Sequence, residues 1–381
     1  MNMVEYSEYR LGLLCKRFSS GKGISADLIN ETGKYPVIGG NGLRGYTDTY
    51  NFDGECAVIG RQGAYCGNVQ FFSGKGYMTE HAVVTQPNSA NNAKYLTYKL
   101  SGLSLGRFSG QAAQPGLSVT KLARLRIEMP PKWYQDRVAG ILSAYDNLIE
   151  VNNKRIKVLE QIAENLYKEW FVRFRFPGHE TAEFENGIPK GWNVCRFSSI
   201  ANVLSGGTPS TDHDEYYGGN IPFYTPKDSS DDYFVFDTIS KLTEEGLQHC
   251  NSQLYPKNTI MITARGTVGN LNLLAKPMAM NQSCYALTSN TIPSQYFLFF
   301  LIKREILKLR KMASGGVFDT IIVSTFDHIK VTIPDKSLIM SFDMLVSPIL
   351  DETYTLLKQN RNLIRQRDLL LPRLMSGKLE V

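Results

Sequence analysis

The chain is short of the residue patterns that usually carry chemistry. Its six cysteines, Cys15, Cys56, Cys66, Cys195, Cys250 and Cys284, are scattered over 381 residues without a Cys-x-x-Cys pair. That argues against a zinc ribbon or a disulfide framework and favours a reducing home, the cytoplasm. The five histidines, His81, His179, His213, His249 and His328, never fall at metal-ligand spacing. The longest apolar run, Tyr296 to Ile302, is far short of a bilayer span, and Glu5, Glu8 and Arg10 near the start argue against a signal peptide, so no membrane partner is expected. Ser20-Gly-Lys-Gly23 imitates the end of a phosphate loop but puts Gly23 where a hydroxyl would meet magnesium. Gly102-Leu-Ser-Leu-Gly106 has the spelling of a hydrolase elbow, yet it follows a helical pattern, Tyr95 to Leu100, where a strand is needed. No Asn/Asp-Pro-Pro-Tyr/Phe tetrapeptide of an amino-methyltransferase occurs; Met129-Pro-Pro-Lys132 shares only its prolines. No catalytic residue, metal ligand or cofactor of its own is therefore assigned to the chain.

What the chain does have is a repeat. Val58-Ile-Gly-Arg-Gln-Gly-Ala-Tyr-Cys-Gly-Asn68 returns as Ile262-Thr-Ala-Arg-Gly-Thr-Val-Gly-Asn270, which places Arg61 and Arg265 in equivalent positions about 204 residues apart. Leu125-Arg-Ile-Glu-Met-Pro130 returns as Ile329-Lys-Val-Thr-Ile-Pro334, and each is followed by a long helical pattern. Between Tyr9 and Pro130, and again between Ile188 and Pro334, short apolar stretches punctuated by Gly and Asn read as many short strands. Helical segments are expected near Lys94 to Leu105 and from Ser294 to Met312. The second module is longer near its start, where Asp212 to Gln253 has a shorter counterpart in the first.

In the long helices, Val138, Ile141, Tyr145, Leu148, Leu159, Ile162, Leu166 and Trp170 alternate in threes and fours. Phe342, Leu345, Ile349, Leu356, Leu363, Leu370 and Leu374 keep that phase. Asn152 and Arg155 interrupt the first seam. Such spacing predicts two rods of roughly 55 Å that pair along their length, most simply as an antiparallel coiled coil. The expected fold class is α+β: two related modules of mixed strands and short helices, separated by two long antiparallel helices, with pseudo-twofold symmetry.

Several strings together resemble the specificity subunits of type I restriction-modification systems. They are Ile188-Pro-Lys-Gly-Trp192 with Leu204-Ser-Gly-Gly-Thr-Pro-Ser210, Leu159-Glu-Gln-Ile-Ala-Glu-Asn-Leu-Tyr-Lys-Glu-Trp-Phe171, and Gln366-Arg-Asp-Leu-Leu-Leu-Pro-Arg-Leu-Met-Ser-Gly377. The resemblance spans essentially the whole chain. It implies a first target-recognition domain (1–131), a central long helix (132–176), a linker (177–187), a second target-recognition domain (188–334) and a C-terminal long helix (335–381). It also implies that each domain reads half of a bipartite double-stranded DNA target. The helices would set the gap and dock two methyltransferase subunits, joined for cleavage by restriction and translocase subunits. S-adenosylmethionine, ATP and magnesium would be used by those partners and not by this chain. A rival expectation is a coiled-coil scaffold that binds protein without DNA specificity.

If the partner is DNA, phosphate neutralisation supplies affinity, and Arg, Lys, Asn and Gln at base edges supply sequence. A net charge of +6 is compatible with that partner but small for this length. The first module offers Lys22, Asn41, Arg44, Arg61, Gln62, Arg107, Gln111 and Gln114 in its loops, and the second offers Thr208, Lys227, Arg265, Asn281, Gln282 and Ser283. Arg61 and Arg265, matched by the repeat, are expected to share one task, contact with phosphate or the fixing of a turn beside Gly63 and Gly266.

Overall fold

Phe52–Gly60 begins with alternating exposure and ends in five consecutive buried residues, the pattern of a strand that passes from the rim of a sheet into a core covered on both faces. In a computed structural model of the chain it lies inside a six-stranded sheet, antiparallel to Val69–Met78 on one side and to Ala82–Pro87 on the other. Cys15–Ser20 extends the sheet beyond Ala82–Pro87, while Tyr35–Gly39, parallel to Val69–Met78, and Gly42–Thr47 extend it the other way. The structure describes residues 4–110, 116–312, 320–379 and 381. Its contacts divide the chain into two compact units, residues 1–150 with 362–381, and residues 151–361.

In the first unit, helix α1 (Ala93–Ser101) starts where the Asn92 side chain accepts a hydrogen bond from the Tyr95 backbone. It lays Tyr95, Leu96 and Leu100 on the sheet against Ala57, Ile59 and Val83. A short α2 (Val119–Ala123) follows. Ser7–Arg10 pairs antiparallel with Arg126–Met129 as a separate ribbon, and Pro130-Pro131 then open α3 (Lys132–Phe171).

The second unit repeats this plan. Asn193–Arg196 pairs with Lys330–Ile333 as the ribbon. A five-stranded sheet runs in the order Ala201–Ser205, Cys284–Ser289, Ile260–Thr263, Leu271–Leu274, Phe234–Val235, and a three-stranded one in the order Ser240–Leu242, Tyr217–Tyr224, Ala279–Met280. The helices are α4 (Glu244–Gln248), α5 (Gln295–Met312), α6 (Val323–His328) and α7 (Lys336–Met375). The longest apolar run of the sequence lies on α5 and is wholly buried. Among the described residues, no helix is long and apolar enough to cross a membrane.

Lys132 and Lys336 stand 204 residues apart, as do Phe171 and Met375, whereas Ser7 and Asn193 stand only 186 apart. The second unit therefore carries 18 more residues ahead of its long helix. They belong to the region around α4, where the rings of His213, Tyr216 and His249 stack at 4.8 and 4.9 Å.

The long helices pair antiparallel within each unit. In the first, Tyr134 Oη donates to the Leu374 carbonyl at 3.1 Å and Arg367 meets Asp146 at 2.6 Å. In the second, Asn152 meets Asn360 at 2.9 Å and Arg155 meets Glu352 at 2.6 Å. The buried face keeps part of the expected stripe, Val138, Trp170, Phe342, Leu356 and Leu374, and departs from it elsewhere. Leu148, Ile162 and Leu345 are 40, 47 and 50% exposed, and the seam is built from Val138, Leu142, Ile156, Ala163, Tyr167, Val346, Leu350 and Leu357. Aromatic residues set that face: Tyr167 and Phe171 must reach Phe297, Phe300 and Phe342, and this selects, among residues that share the three-and-four spacing, which ones are buried. The first helix also stops at Phe171, short of residue 176, because Phe174 takes a left-handed conformation with φ 58°. The second stops at Met375, short of residue 381, with Gly377 (φ 70°) two residues on. The stretch 177–187 holds a 3-10 turn, His179–Thr181, and the strand Phe184–Glu185, paired with Ile188–Pro189.

One contact of α3 carries a pH dependence. Tyr233 donates its backbone N–H to Glu160 at 3.4 Å and its hydroxyl to Glu164 at 2.9 Å. Burial pushes the Glu160 carboxyl up to about 7, whereas Glu164, equally subject to burial, is held below the usual range by its bond to Lys303. A folded pKa above the unfolded value of roughly 4.3 means that Glu160's contribution is full below pH 4 and is lost as pH rises towards 7. Glu160→Gln should therefore stabilise the protein by about 1 kcal/mol at pH 8, after discounting for partial exposure, and not at pH 4. Urea unfolding at the two pH values checks this, and an equal shift at both would refute it.

Candidate nucleic-acid interface

At one edge of each sheet the loops are tied together by a matching set of backbone hydrogen bonds. In the first unit, Lys22 N–H donates to the Met78 carbonyl at 3.0 Å, Thr79 to Ile38 at 2.9 Å, Arg61 to His81 at 2.9 Å and Leu117 to Arg61 at 2.9 Å. In the second, Gly207 donates to Met280 at 3.2 Å, Asn281 to Tyr224 at 3.0 Å, Ala264 to Ser283 at 2.8 Å and Ile321 to Ala264 at 3.0 Å. The crossing is close enough that only glycine fits. A Cβ on Gly21 would overlap the Met78 carbonyl oxygen and lie 2.5 Å from that of Thr79. One on Gly206 would overlap the Met280 carbonyl oxygen and lie 2.5 Å from that of Asn281.

This junction gathers side chains that are far apart in sequence. In the first unit it brings together Lys22, Arg61 and Gln62, and Arg44 joins them with its stem laid over Gly39, whose Cβ would sit 2.7 Å from Arg44 Cδ. Gln62 also bridges to Gly116. Asn41 follows Gly40, which packs against the His81 carbonyl and Gly60. Arg107 belongs to the neighbouring 3-10 turn Leu105–Phe108, whose Gly106 packs on Cys66 and Gly67, and its guanidinium lies 4.8 Å over the Phe108 ring. Gln111 and Gln114 lie outside the described residues.

In the second unit, Thr208 donates its hydroxyl hydrogen bond to Gln282. Asn281 is committed to the turn, its Oδ1 accepting from Ser283 N–H at 3.1 Å. Lys227 projects from the turn Pro226–Asp228. There Asp228 accepts from the Thr225 backbone at 2.8 Å and the Ile239 backbone at 2.7 Å, and Gly266 packs on Pro226, beside Arg265. Lys22, Arg44, Lys227 and Arg265 are exposed, and none has an ion-pair partner among the described residues. Such cations face water with their charge available to an anion.

The backbone bonds correct one sequence equivalence. Gly60 and Thr263 make the same pair of bonds, to Asn68 and Gly67 in one unit and to Asn270 and Gly269 in the other, so Arg61 corresponds to Ala264 and Gln62 to Arg265. Arg61 and Arg265 therefore do not share a position. Arg61 is half-buried, with Nη1 donating to Ser20 Oγ at 3.5 Å, while Arg265 is exposed. The two strings misled because Arg61 stands two residues before its left-handed glycine, Gly63, whereas Arg265 stands directly before Gly266.

Sequence reasoning also passed over Thr79-Glu80-His81, the tip that joins Val69–Met78 to Ala82–Pro87. One oxygen of Glu80 is buried without a hydrogen-bond partner, and the other lies 3.1 Å from His81 Nε2. The counterpart tip, Asn281-Gln282-Ser283, was picked out from the sequence; carrying it across the repeat would have found this one. Among the described residues, no three His, Cys, Asp or Glu side chains are grouped to hold a metal ion.

A protein-family model described as "Type I restriction modification DNA specificity domain" matches the chain twice, over residues 3–161 and 189–359. The chain is 25% identical over 327 residues to the type I restriction enzyme HindI specificity subunit of Haemophilus influenzae, a match covering 70% of this chain and 71% of that one. It is 26% identical over 307 residues to the MjaIX specificity subunit of Methanocaldococcus jannaschii, covering 77% and 71%. Over 166 residues it is 39% identical to the EcoprrI specificity subunit of Escherichia coli, covering 42% and 41%. The crystal structure of the S subunit of a type I restriction-modification system from M. genitalium shares its fold, with a TM-score of 0.69 at 17% identity over 98% of this chain and 97% of that one.

Proposed function

This chain belongs to the type I restriction modification DNA specificity family, and on that premise we propose that it is the DNA-reading subunit of a type I restriction-modification complex, each unit reading one half of a bipartite duplex target. The observation that carries the reading is the glycine-held loop edge, which occurs once in each unit and presents unpaired cations beside Asn, Gln and Thr side chains. Lys22, Arg44, Lys227 and Arg265 would neutralise phosphates, and Gln62, Thr208 and Gln282 would address base edges. Arg61 and Asn281 would shape their loops, since each is already engaged within its own unit. Arg107 would extend the first reading surface.

Catalysis, on this reading, belongs to partner subunits in the cytoplasm. Methyltransferase subunits would use S-adenosylmethionine, and restriction and translocase subunits would use ATP and magnesium. Two methyltransferase subunits would dock on the long helices. Support comes from the apolar residues those helices leave half-exposed, Val151, Val158 and Ile162 on α3 and Met344 and Leu345 on α7.

The test is to co-express the chain with a methyltransferase subunit in a methylation-free host and to map modified bases by single-molecule sequencing. The expected result is a split motif with a constant gap and one modified base on each strand. A stable complex that modifies nothing and binds duplex DNA no more tightly at low salt than at high would favour the protein-binding scaffold instead.

A further inference from the structure

Because α3 and α7 share length and phase, every residue of one has a repeat mate 204 positions away in the other. The buried residues of the two helices are mostly apolar; Thr353 bonds within its own helix, to the Ile349 carbonyl, and the polar residues that bond across the seam form one class. Asn152 is 1% exposed and Asn360 5%; Asn152 Nδ2 donates to Asn360 Oδ1 at 2.9 Å and to Gln359 Oε1 at 3.0 Å, and Asn360 Nδ2 donates to Asn153 Oδ1 at 2.8 Å. The repeat mates of this pair are Leu356 and Ile156, both buried in the apolar cluster. The ion pair of Asp146 with Arg367 likewise has Leu350 and Ala163 as its mates, and that of Arg155 with Glu352 has Gln359 and Leu148. Each of these polar contacts between the helices therefore occurs once, with no copy of it at the repeat-related layer.

That asymmetry has an arithmetic consequence. If α3 took α3 of a second copy in the same seam, Asn152 would face Ile156 where it now faces Asn360, and it would do so twice. Asp146 would face Ala163, and Arg155 would face Leu148. If α7 took a second α7, Asn360 would face Leu356 and Arg367 would face Leu350. Everything apolar would still fit, because the two helices carry the same pattern, but each buried amide would lose the amides it now bonds, Asn152 meeting Ile156 and Arg155, and Asn360 meeting Leu356 and Leu357. A buried Asn that is satisfied in one pairing and orphaned in another selects register and partner at some cost in stability.

We propose that the Asn152–Asn360 layer, assisted by Asp146–Arg367 and Arg155–Glu352, makes α3 take α7 of its own chain and reject the like helix of a second copy. The need for such a lock follows from synthesis. At 5 to 20 residues per second α3 is complete roughly 10 to 40 s before the matching stretch of α7 exists, and for that interval the nearest well-matched surface is α3 on a neighbouring nascent chain. The Arg155–Glu352 pair is largely exposed and the Asp146–Arg367 pair half-buried, and both contribute the smaller share.

The test symmetrises the layer. Asn152→Leu with Asn360→Ile gives each position the residue of its repeat mate. Two differently tagged full-length copies are co-expressed in a host without type I subunits, and recovery of one tag through the other is measured. The double variant should keep its helical circular dichroism, melt no lower than the parent, and raise cross-chain recovery at least about tenfold. Asn152→Leu alone, which leaves Asn360 Oδ1 without its donor, should lower the melting temperature. Asp146→Leu with Arg367→Ala, at half-buried positions, is the second probe should the first variant not fold, with a smaller rise expected. Cross-chain recovery at the parental level in a folded symmetrised variant, or in the charge variant if only that one folds, would overturn the proposal.

Discussion

Deleting residues 149–155 from α3 alone is expected to abolish DNA recognition, whereas deleting 149–155 together with 357–363 is expected to leave both half-sites readable and to bring them closer by about 3 base pairs. The two stretches face each other in the antiparallel pair, since Asn152 lies against Asn360. Removing seven residues shortens a helix by about 10.5 Å while changing its facing by only about 20°. Shortening one helix alone slides it by a heptad, so that either Tyr134, Leu142 and Asp146 lose Leu374 and Arg367, or Ile156 and Tyr167 lose Leu350 and Phe342. Several buried side chains would lose their partners at once, at costs of about 2 to 5 kcal/mol each, more than a marginally stable fold retains. Shortening both preserves the contacts on either side of the cut. Base-modification mapping reads the gap directly, and an unchanged gap in the paired deletion would show that the helices are not what sets it.

Gly206→Ala is expected to remove the recognition of one half-site and spare the other. Its Cβ would overlap the Met280 carbonyl oxygen and sit 2.5 Å from that of Asn281, both backbone atoms of the adjoining tip. One or the other must move. Moving either breaks the Gly207 bond to Met280 and separates Thr208 from Gln282, which puts two candidate readers out of place together. With each misread base pair costing about 1 to 3 kcal/mol, specific affinity should fall at least about 100-fold. The informative measurement is competition with duplexes scrambled in one half-site at a time. The parent should discriminate against both scrambles, and the variant against one only. Full discrimination against both would place the Gly206 loop away from the DNA.

Much of the scaffold was legible because it rests on local signals. Pro130 and Pro334 end paired strands and open helices, which begin at Lys132 and Lys336. The face those helices bury was less legible. Leu148, Ile162 and Leu345 satisfy the spacing as well as Leu142 and Ala163 do, and only the ring cluster around Phe297 and Phe342 decides between them. At the glycine-held loop edge the sequence equivalence did not hold: Arg61 answers to Ala264 because hydrogen bonds, and not spelling, define the register. The stack of His213, Tyr216 and His249 was out of reach for a different reason, since its outer rings come from turns that no local pattern connects.

The ribbon that opens each unit has a further consequence. Ser7–Arg10 lies against Arg126–Met129, and Asn193–Arg196 against Lys330–Ile333, so the chain enters and leaves each recognition fold through the same doorway. Whatever is spun out between entrance and exit returns to the same point before its long helix begins. The second unit already holds 18 residues more than the first behind an equivalent doorway, and its helix is no longer or shorter for it. What is read and how it is held can thus vary independently: an interior can be refurnished without moving the walls.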